Sequence, residues 1–121
     1  MANDATRIRP FSAGVRRQPG GAVIDLHGEM DSFAAAGLAA AFAEASAGKP
    51  ERIALNFGDV DYINSTGIAL IVGVLARARQ ADIPLAAYSL SEHYREIFEI
   101  TRLSDFMAIC DDERSALSQA H

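Results

Sequence analysis

An α/β fold with a mixed sheet is predicted by two features of the 121-residue sequence. Short runs rich in branched apolar residues alternate with longer segments in which apolar residues recur at helical spacing. Strands that alternate with helices form βαβ units, whose strands are parallel. A turn sequence, QPGG at residues 18–21, separates the first two strand-like runs and predicts a hairpin, which adds antiparallel pairing.

The first half of the chain supplies the hairpin and one helix. The hairpin strands are expected at residues 15–17 and 22–28. Asp31 or Ser32 can cap the helix that follows, and the GKP sequence at residues 48–50 ends it. The apolar face of this helix is expected to consist of Phe33, Gly37, Leu38, Ala41, Phe42 and Ala45.

The second half of the chain continues the alternation of strands and helices. We expect, in order, a strand at 52–57, a loop at 58–64, a helix from Asn64 or Ser65 to about residue 80, a strand at 85–88, a helix from Ser91, a strand at 106–110 and a final helical turn from residue 111.

Length and composition indicate one globular domain. Half of the residues are hydrophobic and 22% are charged, a balance typical of a folded domain. Residues 1–14 show little pattern, so we expect a flexible, frayed N-terminal segment or a short edge strand there, and one domain over residues 15–121.

Charge and hydropathy exclude two classes of partner. The net charge is −5, and lysines and arginines do not form a basic face, so we expect no nucleic-acid partner. The longest apolar run, residues 67–76, is about half of a membrane span, so we expect no direct membrane insertion. The single cysteine, Cys110, fits a reducing compartment, and we expect a cytoplasmic protein.

Residues that could carry enzyme chemistry are scattered along the chain. His27, His93 and His121 lack the spacing of metal ligands, so we predict neither a metal site nor a cofactor. Cys110 is interpreted as a small buried apolar residue rather than a nucleophile. Ser65 does not lie in a G-x-S-x-G elbow. The sequence therefore predicts no catalytic residues and no enzyme.

The most informative segment is DVDYINSTG at residues 59–67. It places Asn64, Ser65 and Thr66 where a strand ends and a helix begins. Asn and Ser are both good N-caps, so capping is one interpretation of these residues. The other interpretation is a phosphorylation site, because a helix N-terminus offers free N–H groups and the positive end of the helix dipole.

The helix after Ser65 carries more apolar residues than one buried face requires. They are Ile68, Leu70, Ile71, Val72, Val74 and Leu75. Either both faces are covered within the domain, or one face near Ser65 and Gly73 docks a partner. Glu29 and Asp31 flank the same surface in the second interpretation; in the first, Asp31 caps a helix and Glu29 is solvated.

Three segments together resemble the STAS family, and within it the anti-sigma factor antagonists. Residues 28–31 (GEMD) resemble the family's G-E-L-D segment, and residues 61–67 (DYINSTG) resemble its hydrophobic-D-S-[ST]-G phosphorylation loop. Residues 85–103, which end in ITRL, resemble its final strand and the helix that closes at a T-G-L-like turn. The resemblance implies a small STAS fold, with a mixed four- to five-stranded sheet, an opening hairpin and about four helices packed mainly on one face.

The resemblance also implies a function. Ser65 occupies the position of the family's phosphorylated serine. The unphosphorylated domain would bind an anti-sigma factor that is also a serine kinase, and so free a sigma factor. Phosphorylation of Ser65, with ATP bound by that partner, would release the complex, and a phosphatase would reset it. The phosphorylation loop and partner surface would then comprise Glu29, Asp31, Asn64, Thr66, Gly67, Ile68 and Gly73.

The sequence departs from the family pattern beside the phosphoacceptor. Asn64 stands where the family often has Asp, and Ile68-Ala69 replaces the common Leu-Gly. A second function therefore stays open, namely a STAS subunit of a larger assembly, such as a stress-signalling complex or a lipid-transport ATPase, without a phosphorylation switch. A third, a small enzyme, lacks a visible set of base, nucleophile and oxyanion donor.

Overall fold

A mixed five-stranded sheet forms the centre of the computed structural model, which describes residues 9–118. The first two strands form the expected antiparallel hairpin, and the other neighbouring strands are parallel. Strand order in the sheet follows chain order. The strands are β1 (Ser12–Gln18), β2 (Gly21–Met30), β3 (Ile53–Ile63), β4 (Leu85–Tyr88) and β5 (Ala108–Cys110). β5 begins two residues later than expected, whereas β4 has the predicted bounds.

Four α-helices lie within residues 9–118. They are α1 (Ala35–Ser46), α2 (Ser65–Gln80), α3 (Glu92–Ile100) and α4 (Glu113–Ser118). α2 ends at Gln80 and α3 follows Ser91, which caps it, as the sequence predicts. Arg77 and Arg79 in the last turn of α2 complement the negative end of its dipole.

Two apolar clusters cover the two faces of the sheet. The larger lies between one face and α1, α2 and α3, and buries side chains such as Ile24, Leu55 and Phe98. Each such side chain contributes about 1.5–3 kcal/mol when it is fully buried. The smaller cluster lies under α4 on the opposite face and consists of Val23, Ala54, Ala86, Tyr88, Cys110 and Ala116. The prediction that the helices pack mainly on one face is confirmed.

The N-terminal boundary of the domain differs from the prediction. β1 begins at Ser12, so residues 12–14 belong to the edge strand of the sheet, the second of the two expected structures, and not to a flexible segment. The reason is that β2 is long enough to pair with them, with Ser12 opposite His27. Phe11, just before β1, packs against the larger apolar cluster. Residues 1–8 of the predicted segment lie outside the described residues.

The prediction of a loop at residues 58–64 is wrong, because β3 continues as far as Ile63. The glycine and aspartates of this segment disfavour a strand when taken alone. β2, however, extends to Met30 and pairs with the segment through two shifts of register. Pairing across the sheet therefore overrides the local preference, and Asn64 alone separates β3 from α2.

The first helix also begins differently from the prediction. Asp31, one of the two expected caps, caps a 3₁₀ turn over Ser32–Ala34, and α1 follows that turn. A 3₁₀ turn has three residues per turn, which changes the direction of the side chains in it. Phe33, expected on the buried face, is consequently 89% exposed.

Candidate functional site

Ser65 lies at the edge of the sheet where the parallel strands end and α2 begins. β2 and β3 run side by side to Met30 and Ile63, which are register partners and are both buried. Asn64 links β3 to α2, and Ser65 and Thr66 follow it as exposed residues. The predicted phosphorylation loop is therefore a sharp connection between a strand and a helix, and its two hydroxyls are at the surface.

Asn64 is the N-cap of α2. Its side-chain oxygen accepts the Gly67 N–H at 2.9 Å, and its carbonyl oxygen accepts the Ile68 N–H at 3.0 Å. Of the two caps that the sequence allows, Asn64 is the one used, so the cap does not require the Ser65 hydroxyl. The N–H groups of Ser65 and Thr66 lie at the positive end of the helix dipole, and the first turn holds no acidic residue. A phosphate on Ser65 would meet these donors.

Gly67 brings the first turn of α2 against the end of β2. A Cβ atom on Gly67 would lie 2.2 Å from the carbonyl oxygen of Met30. The same oxygen accepts the Asn64 N–H at 3.2 Å. Asp31 follows Met30 directly, and its carboxylate accepts the Phe33 N–H at 2.9 Å. The two motif segments of the sequence are thus in direct contact, and Asp31 lies at the same edge of the sheet as Ser65.

The outward face of α2 carries small side chains below Ser65. This outer strip of α2 consists of Ser65, Ala69, Val72, Gly73 and Ala76, which are all exposed. Val72, the bulkiest of them, is 46% exposed. The opposite face buries Ile71 and Val74, while Ile68 and Leu70 are half-buried against the core. Most of the apolar circumference is therefore covered within the domain, and the outer strip remains uncovered.

Glu29 lies on the other face of the sheet from α2. It is the register partner of Tyr62, and both residues point away from the buried face because side chains alternate along strands. Gly73 lies about 12 Å from Ser65 along α2, eight residues further on. Of the predicted site residues, those next to Ser65 in the sequence and Asp31 cluster around it, Gly73 extends the outer strip, and Glu29 is separated by the sheet.

Two contacts that hold the loop in place were not predicted from the sequence. The Tyr94 hydroxyl on α3 accepts the Ile63 N–H at 2.9 Å. The Arg9 Nε donates to the Asp61 carboxylate at 2.7 Å. The two residues of each contact are separated by 31 and 52 positions in the sequence, so no local motif marks either of them.

A polar network lies on the face of the sheet that carries α4. Arg16 donates to Asp25 at 2.6 Å and to Glu113 at 2.7 Å. The Tyr88 hydroxyl donates to Glu113 at 2.7 Å. The Arg16 guanidinium holds the pKa of both carboxyls below their usual range. Burial, together with the contact to Glu113, raises the pKa of Tyr88. The network joins α4 to three strands and has a structural role.

The reactive side chains within residues 9–118 form no group of three or more His, Cys, Asp or Glu that could hold a metal ion. Cys110 is buried, and burial raises the pKa of its thiol, so the less reactive protonated form dominates. His27 contacts the Asp59 carboxylate at 2.7 Å, and His121 lies outside the described residues. In the described part of the chain, no helix has the length and apolar character that crossing a membrane requires.

Sequence comparison identifies the domain family and several bacterial relatives of this chain. Residues 12–116 match the sequence model of the STAS domain. The anti-sigma-B factor antagonist of Listeria monocytogenes is 30% identical over 82 residues, which cover 68% of this chain and 72% of that protein. The anti-sigma-B factor antagonist of Staphylococcus aureus is 30% identical over 86 residues, which cover 71% of this chain and 80% of that protein.

Solved structures share the fold. An anti-sigma factor antagonist from Mycobacterium paratuberculosis superposes with a TM-score of 0.76 at 18% identity, over 89% of this chain and 92% of that chain. The Bacillus cell fate determinant SpoIIAA in its phosphorylated form superposes with a TM-score of 0.65 at 22% identity, over 86% of this chain and 96% of that chain. Since the family match runs from the first residue of β1 into α4, this chain belongs to the STAS domain family.

Proposed function

We propose that this protein is a cytoplasmic anti-sigma factor antagonist that is switched by phosphorylation of Ser65. The unphosphorylated form binds a kinase-type anti-sigma factor, whose bound ATP supplies the phosphate. The phosphorylated form releases that partner, and a phosphatase restores the binding form. The protein is the substrate of the kinase and performs no catalysis itself. The names of the relatives from Listeria and Staphylococcus support the proposal that this protein antagonises an anti-sigma factor.

One observation carries the proposal: Ser65 is exposed at the first position of α2, while Asn64 supplies the helix cap. A kinase can reach a hydroxyl in this position, and the fold does not depend on that hydroxyl. Phosphorylation adds about −1.5 to −2 units of charge at one point of the surface. Negative charge is favourable at the N-terminus of a helix, so the domain stays folded while its surface changes.

The outer strip of α2 supports the proposal that phosphorylation releases the partner. Its small side chains let a partner approach the helix closely, and Ser65 lies at one end of it. A phosphate in such a contact must either keep its water or be buried without a counter-ion, and both weaken binding. Reversing the bound fraction from 99:1 to 1:99 takes about 5.5 kcal/mol, so the phosphate must weaken binding by that amount for a complete switch.

Partner capture tests the proposal. Wild type, Ser65→Ala and Ser65→Asp are used as baits, and the captured proteins are identified by mass spectrometry. Ser118→Asp is the matched control, because it adds the same charge at an exposed serine on α4. We expect wild type, Ser65→Ala and Ser118→Asp to retain a sigma-binding serine kinase, and Ser65→Asp to lose it.

Phosphate mapping completes this test. Incubation with the captured kinase and ATP should add one phosphate to wild type and to Thr66→Ala, and none to Ser65→Ala. Equal capture by wild type and Ser65→Asp, or phosphate on Thr66 alone, would refute the switch. The protein would then fit the alternative of a STAS subunit held permanently in a larger assembly.

A further inference from the structure

The residues just before β1 run alongside the end of β2. The Arg9 carbonyl oxygen accepts the Glu29 N–H at 3.1 Å. The carbonyl oxygen of Pro10 lies 2.4 Å from the position of a Cβ on Gly28, whose φ of +82° belongs to the left-handed region. A side chain at this position would collide with the backbone of the N-terminal segment. Gly28 therefore allows Arg9 and Pro10 to lie directly against β2.

The Arg9 side chain reaches across to β3 and binds two aspartates. Its Nε and Nη2 atoms donate to the two carboxylate oxygens of Asp61 at 2.7 and 3.1 Å, which forms a bidentate fork. Its Nη1 and Nη2 atoms donate to the Asp59 carboxylate at 3.2 and 3.1 Å, and Nη2 also donates to the Asp59 carbonyl oxygen at 2.8 Å. One guanidinium thus holds both side chains and the backbone of this part of β3.

The segment that Arg9 binds is a β-bulge. Gly28 and Glu29, which are adjacent on β2, pair with Val60 and Tyr62 on β3. Asp61, between Val60 and Tyr62, is therefore an extra residue on β3 with no partner on β2. A bulge redirects the side chains that follow it. The bulge at Asp61 directs the Ile63 side chain into the core. It also places Asn64 where it caps the first turn of α2.

We propose that Arg9 is a positioning residue for Ser65, because it holds the bulge at Asp61 and thereby fixes the register of the last residues of β3. The inference rests on the proposed role of Ser65 as phosphoacceptor. An isolated exposed ion pair contributes little, and Arg9 and Asp61 are 46% and 48% exposed. The fork and the bond to the Asp59 carbonyl oxygen distinguish this contact, because they fix geometry as well as charge.

A change of register would alter the phosphorylation loop directly. A slip of one residue exchanges the two faces of a strand, so Ile63 would leave the core. Asn64 would then lose the Met30 carbonyl oxygen that accepts its N–H, and with it the position from which its side chain caps the Gly67 N–H. The Tyr94 hydroxyl, which accepts the Ile63 N–H, holds the same segment from the side of α3. Arg9 holds it from the opposite face of the sheet.

Amide hydrogen exchange on the full-length protein tests this positioning without any partner. Arg9→Ala should speed exchange of the Gly67 N–H by at least about fivefold, while the melting temperature changes little. Arg17→Ala is the matched control, because Arg17 lies on β1 and donates to two carbonyl oxygens at the end of α1. It should leave exchange at Gly67 unchanged.

Phosphorylation of Ser65 by the partner kinase is the second readout. Arg9→Ala should lower kcat by at least about fivefold with KM nearly unchanged, because the outer strip of α2 still docks while the hydroxyl is misplaced. The kcat of Arg9→Lys should lie between those of wild type and Arg9→Ala, since lysine keeps the charge but cannot form the fork. In an Asp61→Asn background, Arg9→Ala should have a smaller effect, because the two residues act through one contact.

The two readouts separate this inference from the proposed function. If wild type is phosphorylated at Ser65 and Arg9→Ala matches Arg17→Ala in both Gly67 exchange and kcat, the inference about Arg9 is wrong while the proposed function stands. If the kinase does not phosphorylate wild type, the proposed function fails, and exchange at Gly67 alone decides whether Arg9 positions the loop.

Discussion

The carbonyl oxygen of Met30 lies 2.2 Å from the place where a Cβ atom of residue 67 would be, so the contact exists only because Gly67 has no side chain. It joins the end of β2 to the first turn of α2. The Met30 carbonyl oxygen is a backbone atom, and a Cβ is bonded directly to the backbone. Neither can move aside by a side-chain rotation. Gly67 is therefore a structural requirement of the loop that presents Ser65.

Gly67→Ala should destabilise the protein by about 1–3 kcal/mol, because strand or helix must shift to admit the methyl group. Gly73→Ala is the matched control, since nothing lies within 4 Å of a Cβ at that position on the same helix. It should stabilise by about 0.5–1 kcal/mol through the better helix propensity of alanine. Urea unfolding gives both values, and a Gly67→Ala variant as stable as Gly73→Ala would contradict the contact with Met30.

Asn64 should be replaceable by aspartate but not by alanine. Its side-chain oxygen accepts the Gly67 N–H at 2.9 Å, and a carboxylate can do the same. Asn64→Asp should change stability by no more than about 0.5 kcal/mol, whereas Asn64→Ala should cost about 1 kcal/mol. Urea unfolding of both variants checks this. A large loss in Asn64→Asp would mean that the amide NH₂ group has a partner that a carboxylate repels.

The stability of the protein should fall in acid because of Arg16. The pKa values of Asp25 and Glu113 are lowered in the folded state. Their contribution to stability is therefore complete above the unfolded-state pKa values of about 4, and it is lost as the pH falls through the folded-state values. Arg16→Ala should cost about 2 kcal/mol at pH 7, and the difference from wild type should shrink below about pH 4.

Urea unfolding between acidic and neutral pH measures this difference. Arg95→Ala is the control, because Arg95 pairs at 3.0 Å with Asp111, whose side chain is 82% exposed, so its loss should cost little at any pH. A cost of Arg16→Ala that stays constant through the acidic range would contradict the role of the carboxylates.

The alternation of strands and helices and the start of α2 were predictable because each depends on local patterns. Three such patterns favour the same local structure wherever they occur: the QPGG turn, the apolar run at residues 85–88 and the polar residues before α2. The confirmed elements follow from such signals. The family resemblance then supplied Ser65 as the candidate phosphoacceptor, a role that the local pattern alone could not separate from capping.

The parts that were missed or predicted wrongly depend on distant residues or on the type of a single turn. β3 extends through its glycine and aspartates because β2 and Arg9 pair with them across the sheet. Phe33 is exposed because the first turn after Asp31 is 3₁₀ rather than α. The contact of Tyr94 with Ile63 joins two elements that are not adjacent in the sequence. The two contacts across the sheet leave no periodic or local signal in the chain, and apolar spacing does not separate a 3₁₀ turn from the first turn of an α-helix.

The affinity of the purified partner for the phosphorylated and unphosphorylated protein tests the central claim most directly. Isothermal titration calorimetry is done with wild type, with wild type phosphorylated at Ser65 and with Ser65→Ala, and circular dichroism checks that all three are equally folded. We expect Ser65→Ala to bind like wild type and the phosphorylated protein to bind about 10⁴-fold more weakly, the change needed to invert the bound fraction. Equal affinities for the phosphorylated and unphosphorylated forms would contradict the claim that Ser65 is the switch.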